Sequence, residues 1–104
     1  MIVEERSYTF DAGKVPVFMA IYEEKGRAIQ TSVLGRMLGY FTSDFGVQNQ
    51  TVHLWGYDSL EDRQLRRDRL AALPDWQAFL REVLPLIRQQ EVRILRPTAF
   101  SPIR

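Results

Sequence analysis

The first third of the chain changes from a strand-like to a helix-like pattern of apolar positions. Residues 2–10 are dominated by Ile, Val, Tyr, Thr and Phe and end at a turn-forming Asp-Ala-Gly sequence, which predicts a first strand. Residues 14–24 then place apolar side chains three and four positions apart, which predicts a helix. Gly26 is expected to interrupt that helix, and a second helical segment is predicted over 27–34 before Gly35 ends it.

The rest of the chain predicts a hairpin, a long helical region and a last strand. Three segments have strand composition: residues 36–43, 49–58 and 91–96. The connection between the first two is short, so they form an antiparallel hairpin. Asp58 or Ser59 is expected to cap the following helix, and a bend is expected near Pro74. The predicted buried face of this helical region consists of Leu65, Ala72, Leu73, Trp76, Phe79, Leu80 and Val83.

The predicted elements follow the order β-α-β-β-α-β, which is the split βαβ arrangement. Right-handed crossovers place the first and third strands side by side in the middle of a four-stranded antiparallel sheet, with the helices on one face. The expected fold is therefore a ferredoxin-like α+β domain. A chain of 104 residues has the size of one domain, so residues 1–104 are predicted to form a single unit.

Both faces of the predicted sheet carry large apolar side chains. The third strand places His53, Trp55 and Tyr57 on one face and Val52 and Leu54 on the other. Such a sheet presents roughly 350 Å² per face, which is near the largest apolar patch that a monomer usually exposes. A second copy would cover the free face, so a homodimer through the sheet face is predicted. The alternative is a monomer that exposes a few aromatic residues.

Composition and charge exclude several classes of protein. The chain has no cysteine and one histidine, His53, which excludes a disulfide framework and a thiolate or multi-histidine metal site within one subunit. Its 14 basic and 13 acidic residues give a net charge of +1, so no nucleic-acid partner is expected. An acidic residue at position 4 argues against a signal peptide, and no apolar run reaches the length of a membrane span. We therefore expect a cytoplasmic protein without membrane insertion.

Several stretches of the chain match the pattern of a known family. They are Glu4–Phe10 with Ala12–Lys14, Leu34–Phe41, Asn49–Ser59 and Arg93–Pro97, and the most specific part is Val52-His53-Leu54-Trp55. On these residues the chain resembles the NIPSNAP family of the dimeric α+β barrel superfamily. The resemblance covers nearly the whole length and implies a ferredoxin-like subunit whose sheet packs against a partner's sheet to close a barrel. It implies no settled activity, and the more distant superfamily relatives include cofactorless monooxygenases, haem-degrading enzymes and small isomerases.

Polar and aromatic side chains share one face of each central strand. Alternate residues from Arg6 lie on one face of the first strand, and alternate residues from His53 lie on one face of the third. We expect these two faces to be on the same side of the sheet, although the sequence leaves open which side carries His53. The predicted catalytic residues are His53, Arg6 and Tyr8, and the predicted substrate-binding residues are Trp55, Tyr57 and Tyr40.

Each of these residues has a structural alternative. A lone histidine on an apolar strand, such as His53, is more often a hydrogen-bonded core residue than a general base. Arg6 is a candidate partner for Glu4 or Glu91. The two aromatic residues of the third strand also suit a core or an interface. The arginine-rich segment 63–69 is interpreted as a solvated helix face, because acidic residues lie three and four positions away.

Two functional interpretations follow from the sequence. The first is a small-molecule-binding protein or a cofactor-independent enzyme resembling a monooxygenase or isomerase, with a pocket between the sheet and the helices and with no metal or cofactor. The second is a non-catalytic interaction or structural dimer whose helical surface meets another protein. Haem bound through His53 is a third alternative, and the chain offers no second histidine and no cysteine as a ligand for the iron. A cavity map separates the first two.

Overall fold

A computed structural model describes residues 1–104 as four strands and four α-helices. The strands are β1 (Ile2–Phe10), β2 (Arg36–Thr42), β3 (Gln50–Tyr57) and β4 (Ile87–Leu95). The helices are α1 (Val15–Ile21), α2 (Arg27–Leu34), α3 (Leu60–Ala71) and α4 (Pro74–Val83). A π-helical turn joins α1 to α2, and a 3-10 turn leads from α4 into β4. None of these helices has the length and apolar character needed to cross a membrane.

The sheet has the strand order β2-β3-β1-β4, and every neighbouring pair is antiparallel. The first and third strands therefore lie in the centre, as predicted. In this register Arg6 stands opposite His53 on one side and Val92 on the other. The predicted ferredoxin-like α+β fold is confirmed.

The helices cover one face of the sheet. The main hydrophobic cluster joins Phe10, Trp55 and Tyr57 of the strands to buried residues from all four helices. On β4 the same face is less well covered, because Val92 and Ile94 remain 44% and 41% exposed. The helical layer thus extends over β2, β3 and β1 and stops short of the edge strand β4.

Gly26 marks an interruption between the two predicted helical segments, as expected, but the chain stays helical there. The chain continues from α1 into α2 through the π-helical turn Tyr22–Gly26. A side chain at Gly26 would come within 2.8 Å of the Phe79 ring, so only glycine allows α4 to pack this closely. The irregularity was placed correctly, but tertiary contact with α4 keeps the chain helical through it.

The start of α3 and its separation from α4 agree with the sequence. The Ser59 side chain accepts a hydrogen bond from the Asp62 backbone N–H at 3.0 Å, as expected of an N-cap. The bend falls at Leu73, and Pro74 opens α4, where its missing N–H removes no helical hydrogen bond.

Two details of the predicted pattern were wrong. Leu65, expected to be buried, is 52% exposed, and Leu70 occupies the buried position on α3. Ala72 and Leu73 are also exposed, because the helix break turns them outward. The last strand begins at Ile87 rather than at residue 91. Residues 88–90 are polar and show no apolar alternation, because they belong to an edge strand that the helices leave partly uncovered.

Candidate functional site

A cavity of about 140 Å³ lies between the sheet and the helical layer. The strands contribute Arg6, Tyr8, Tyr40, His53, Ile87 and Gln90 to its walls. The helices and the two turns contribute Phe18, Tyr22, Gln30, Arg67, Trp76, Phe79, Leu80, Val83 and Leu84. A cavity of about 150 Å³ in an apolar core is large enough to hold benzene, so this one encloses a group of about one aromatic ring. Its exposed residues are Leu84, in the turn before β4, and Gln90, within β4.

His53 presents an N–H group without a protein partner. The Trp55 indole Nε1 donates a hydrogen bond of 2.7 Å to His53 Nδ1. An indole N–H can only donate, so Nδ1 is the acceptor and the proton of the neutral imidazole is on Nε2. Nε2 is buried and makes no hydrogen bond within the protein. Burial, together with the charges of Arg6 and Arg67, lowers the pKa of His53 to about 3, so the ring is neutral at physiological pH.

Two tyrosines fix the plane of the imidazole. Tyr40 stacks on the His53 ring with a centroid distance of 4.4 Å and an interplanar angle of 11°. Tyr8 meets the same ring edge-on at 4.9 Å and 82°. These contacts allow the ring little freedom, so the direction of the Nε2–H group is set by the fold.

Arg6 and Tyr8 form a second polar pair beside the imidazole. Arg6 Nε donates to Tyr8 Oη at 2.9 Å, and a terminal nitrogen of Arg6 lies 3.5 Å from Glu4 Oε1. Because a guanidinium can only donate, the Tyr8 oxygen accepts and its own proton is free to reach another acceptor. The structural alternative of an ion pair with Glu4 is thus realised, while Glu91 lies opposite Ser7 on the other face. Arg6 nevertheless lines the cavity.

Positive charge exceeds negative charge at the inner end of this site. Glu4 is fully buried and is approached by Arg6, by Arg63 through a direct hydrogen bond, and by an Arg67 nitrogen at 3.9 Å. Three guanidinium groups against one carboxylate leave a local charge of +2. The Arg67 nitrogen is buried without a hydrogen-bond partner, and Arg67 lines the cavity.

The arginines of α3 do not all belong to a solvated face. Arg66 does pair with Asp62 one turn earlier, at 3.0 Å. The side chains of Arg63 and Arg67 are only 20% and 25% exposed and turn toward the sheet. The interpretation of this segment as a solvated face was wrong for these two residues.

Four of the six predicted site residues come together at the cavity. They are His53, Arg6, Tyr8 and Tyr40, and their common side of the sheet is the one that faces the helices. Trp55 and Tyr57 do not line the cavity; both are fully buried in the hydrophobic cluster. The prediction that they form its walls was wrong, and the core alternative applies. Trp55 still acts on the site, because its hydrogen bond selects the His53 tautomer.

The sequence interpretation missed the helical half of the site. Arg67 follows Arg63 by one helical turn and precedes the buried Leu70 by three residues, so all three share one face of α3. That spacing was a usable signal. Gln30 offered none, although it is buried and accepts a hydrogen bond of 2.5 Å from Tyr22 Oη.

The protein is of the ferredoxin-like α+β class, with helices on one face of the sheet and a cavity with polar and aromatic walls between the two layers. One structure of an antibiotic biosynthesis monooxygenase has this fold, with a TM-score of 0.64 at 12% identity over 94% of this chain and 99% of that chain. At this identity the likeness is one of fold. Residues 3–102 match the sequence model of the family described as NIPSNAP. The chain belongs to the NIPSNAP family.

Relatives within the family are much more similar in sequence. A crystal structure of a NIPSNAP family protein from Agrobacterium tumefaciens has a TM-score of 0.97 and 48% identity, over 99% of this chain and 98% of that chain. Protein NipSnap of Drosophila melanogaster is 39% identical over 62 residues, which is 60% of this chain and 23% of that protein. NipSnap homolog 2 of Mus musculus is 29% identical over 103 residues, which is 99% of this chain and 36% of that protein. The chain thus spans well under half the length of these curated relatives.

Proposed function

We propose that this chain is a small-molecule-binding protein whose ligand enters the cavity between the sheet and the helices. The observation that carries the proposal is the buried Nε2–H of His53, which has no acceptor in the protein and belongs to a ring that lines the cavity. A buried donor without an acceptor destabilises a fold by about 1–3 kcal/mol. A ligand oxygen placed at Nε2 would restore that hydrogen bond. Apolar walls with a few converging polar groups are the usual form of a small-molecule site.

Binding is the primary function we propose, and turnover would depend on the ligand's own acid–base chemistry. The cavity walls include no carboxylate, and the free nitrogen of His53 already carries a proton, so this histidine acts as a donor rather than as a base. The donors of His53 and Tyr8, together with the charge of Arg6, would stabilise an enolate or phenolate oxygen. A cofactor-independent oxygenase- or isomerase-like reaction would form negative charge on such an oxygen.

Haem bound through His53 is not favoured by this geometry. Nδ1 is occupied by Trp55, and the space beside the imidazole encloses about one aromatic ring, much less than a porphyrin. The non-catalytic interaction protein, the other interpretation of the sequence, required a solid layer between sheet and helices. The cavity is the observation that favours small-molecule binding over it.

We further propose a cytoplasmic homodimer that forms through the sheet face opposite the helices. The β2–β3 half of that face is apolar, with the half-buried Leu38, Val52 and Leu54 and the 55% exposed Phe41. The β1–β4 half is polar beyond the Val3–Leu95 pair and carries the Glu5–Arg93 ion pair at 2.8 Å. An isologous contact over the apolar half would remove Phe41 from water without burying the charges.

Phenol is a suitable first probe for the cavity, because it combines one ring with one hydroxyl group. We expect titration followed by NMR to shift the signals of Trp76, Phe79 and the His53 ring in a saturable manner. Leu80→Phe narrows the cavity and should weaken phenol binding several-fold, whereas Leu65→Phe, at an exposed position of α3, should not. Unchanged cavity signals in the wild-type protein at millimolar phenol would contradict the proposal.

A further inference from the structure

Two side chains on the cavity walls each carry a buried nitrogen that makes no hydrogen bond in the protein. In His53 it is Nε2, and in Arg67 it is a terminal nitrogen that lies 3.9 Å from Glu4 Oε1 and near the Tyr57 hydroxyl group. They come from opposite layers, because His53 is on the central strand β3 and Arg67 is on α3. Both line the same cavity, and the Arg67 charge contributes to lowering the pKa of His53. A group with two acceptor atoms between the layers would meet both donors.

The charge balance favours an anionic group at this position. Arg67 shares its only carboxylate, Glu4, with Arg6 and Arg63, and its distance of 3.9 Å to Glu4 is too long for a hydrogen bond. The cavity walls contain no acidic side chain that would repel an anion. Hydrogen bonds between charged groups are roughly twice as strong as neutral ones, and burial strengthens them further.

The remaining walls limit the rest of the ligand to an apolar group of modest size. Trp76, Phe79 and Val83 are buried and present aromatic and aliphatic surface to the cavity. Its volume of about 140 Å³ is close to that of a core cavity that holds one benzene ring. A ligand of more than about one ring would have to extend past Gln90 into solvent.

We propose that the cavity takes a small carboxylate bearing one ring, whose two oxygens accept from His53 and Arg67 while the ring contacts Trp76 and Phe79. This inference rests on the proposed function and names the chemical class of the ligand at the same site. A planar carboxylate offers two acceptors to two separate donors, which a single hydroxyl group cannot do.

Benzoate and benzyl alcohol test the inference, because they share the ring and differ in charge. We expect benzoate to bind about tenfold or more tightly than benzyl alcohol, in NMR titrations that follow Trp76 and His53 at pH 7.5. Equal affinities would overturn the carboxylate while leaving the binding function in place. If neither probe shifts the cavity signals, the binding function fails as well.

A pair of arginine variants distinguishes a direct contact with the ligand from the loss of one positive charge near the cavity. Arg67→Gln should weaken benzoate binding about tenfold and leave benzyl alcohol binding nearly unchanged. Arg63→Gln is the matched control, since Arg63 also contacts Glu4 from α3 but does not line the cavity. We expect it to change benzoate affinity less than about threefold, with Arg67→Lys recovering part of the loss. Equal losses in the two glutamine variants would overturn the assignment of Arg67.

Discussion

His53 is expected to make the fold less stable as the pH falls below neutrality. The side chain is 1% exposed, and burial with the charges of Arg6 and Arg67 lowers its pKa to about 3 in the folded chain. In the unfolded chain the imidazole titrates near its ordinary value of about 6.5. Between these two values the unfolded state binds one more proton than the folded state. The free energy of unfolding therefore decreases as pH falls from about 6.5 to about 3, and the contribution of His53 is fully present above about 6.5.

The size of the effect follows from the two pKa values. At pH 4.5 the unfolded imidazole is about 99% protonated, and the folded one is almost wholly neutral. Relative to pH 7.5, this difference removes about 3 kcal/mol from the free energy of unfolding. Domains of this kind are stable by about 5–15 kcal/mol in total, so the loss is well within reach of measurement.

Urea unfolding of the wild-type protein and of His53→Gln isolates this contribution. Glutamine does not titrate, and its amide oxygen can still accept a hydrogen bond from Trp55. All carboxylates are common to both proteins, so their protonation cancels in the difference. Equal protein concentrations remove any effect of association. Between pH 7.5 and 4.5 the stability advantage of the wild type should shrink by about 3 kcal/mol. Parallel pH profiles would refute the conclusion that the fold holds His53 neutral.

Two further substitutions test the charge cluster and the dimer. Glu4→Gln leaves three arginines without a carboxylate and should lower the free energy of unfolding by about 3–5 kcal/mol. The control Glu5→Gln removes a carboxylate from the exposed pair with Arg93 and should lower it by less than about 1 kcal/mol. Equal effects of the two substitutions would contradict the burial of the cluster. Phe41→Asp should change the sedimenting mass from that of two subunits to that of one. The control Thr42→Asp, at an exposed position on the opposite face of the same strand, should leave it unchanged. A wild-type chain that sediments as one subunit at high concentration excludes the dimer.

Most of the fold could be predicted because its central strands are buried on at least one face. Apolar residues then follow the period of each element, and β1 has the predicted bounds Ile2–Phe10. After Ile87, β4 continues with the polar residues 88–90, because it is an edge strand that the helices leave partly uncovered, and no alternation marks its start. Gly26 is similar: a glycine signals an irregularity, but only contact with Phe79 determines that the chain stays helical there.

The strand half of the site could also be predicted, and the helix half could not. The period of two in a strand places Arg6 and Tyr8 on one face, and the register sets them beside His53. The position of the cavity along those strands depends on where the helices cross them. Trp55 and Tyr57 lie beneath that layer and Tyr40 lines the cavity, although all three have the same aromatic character in the sequence.

The two proposals concern opposite faces of one sheet, and this separates them physically. The cavity lies on the helical side, and its exposed residues are Leu84, just before the partly uncovered strand β4, and Gln90, within that strand. Phe41 lies on the other side, at the far edge formed by β2. A second subunit over the β2–β3 half would therefore leave the cavity mouth open. Ligand binding does not require the dimer in this geometry, and the dimer does not require a ligand. Benzoate affinity is accordingly expected to be the same in one-subunit and two-subunit forms, so that evidence against either proposal leaves the other standing.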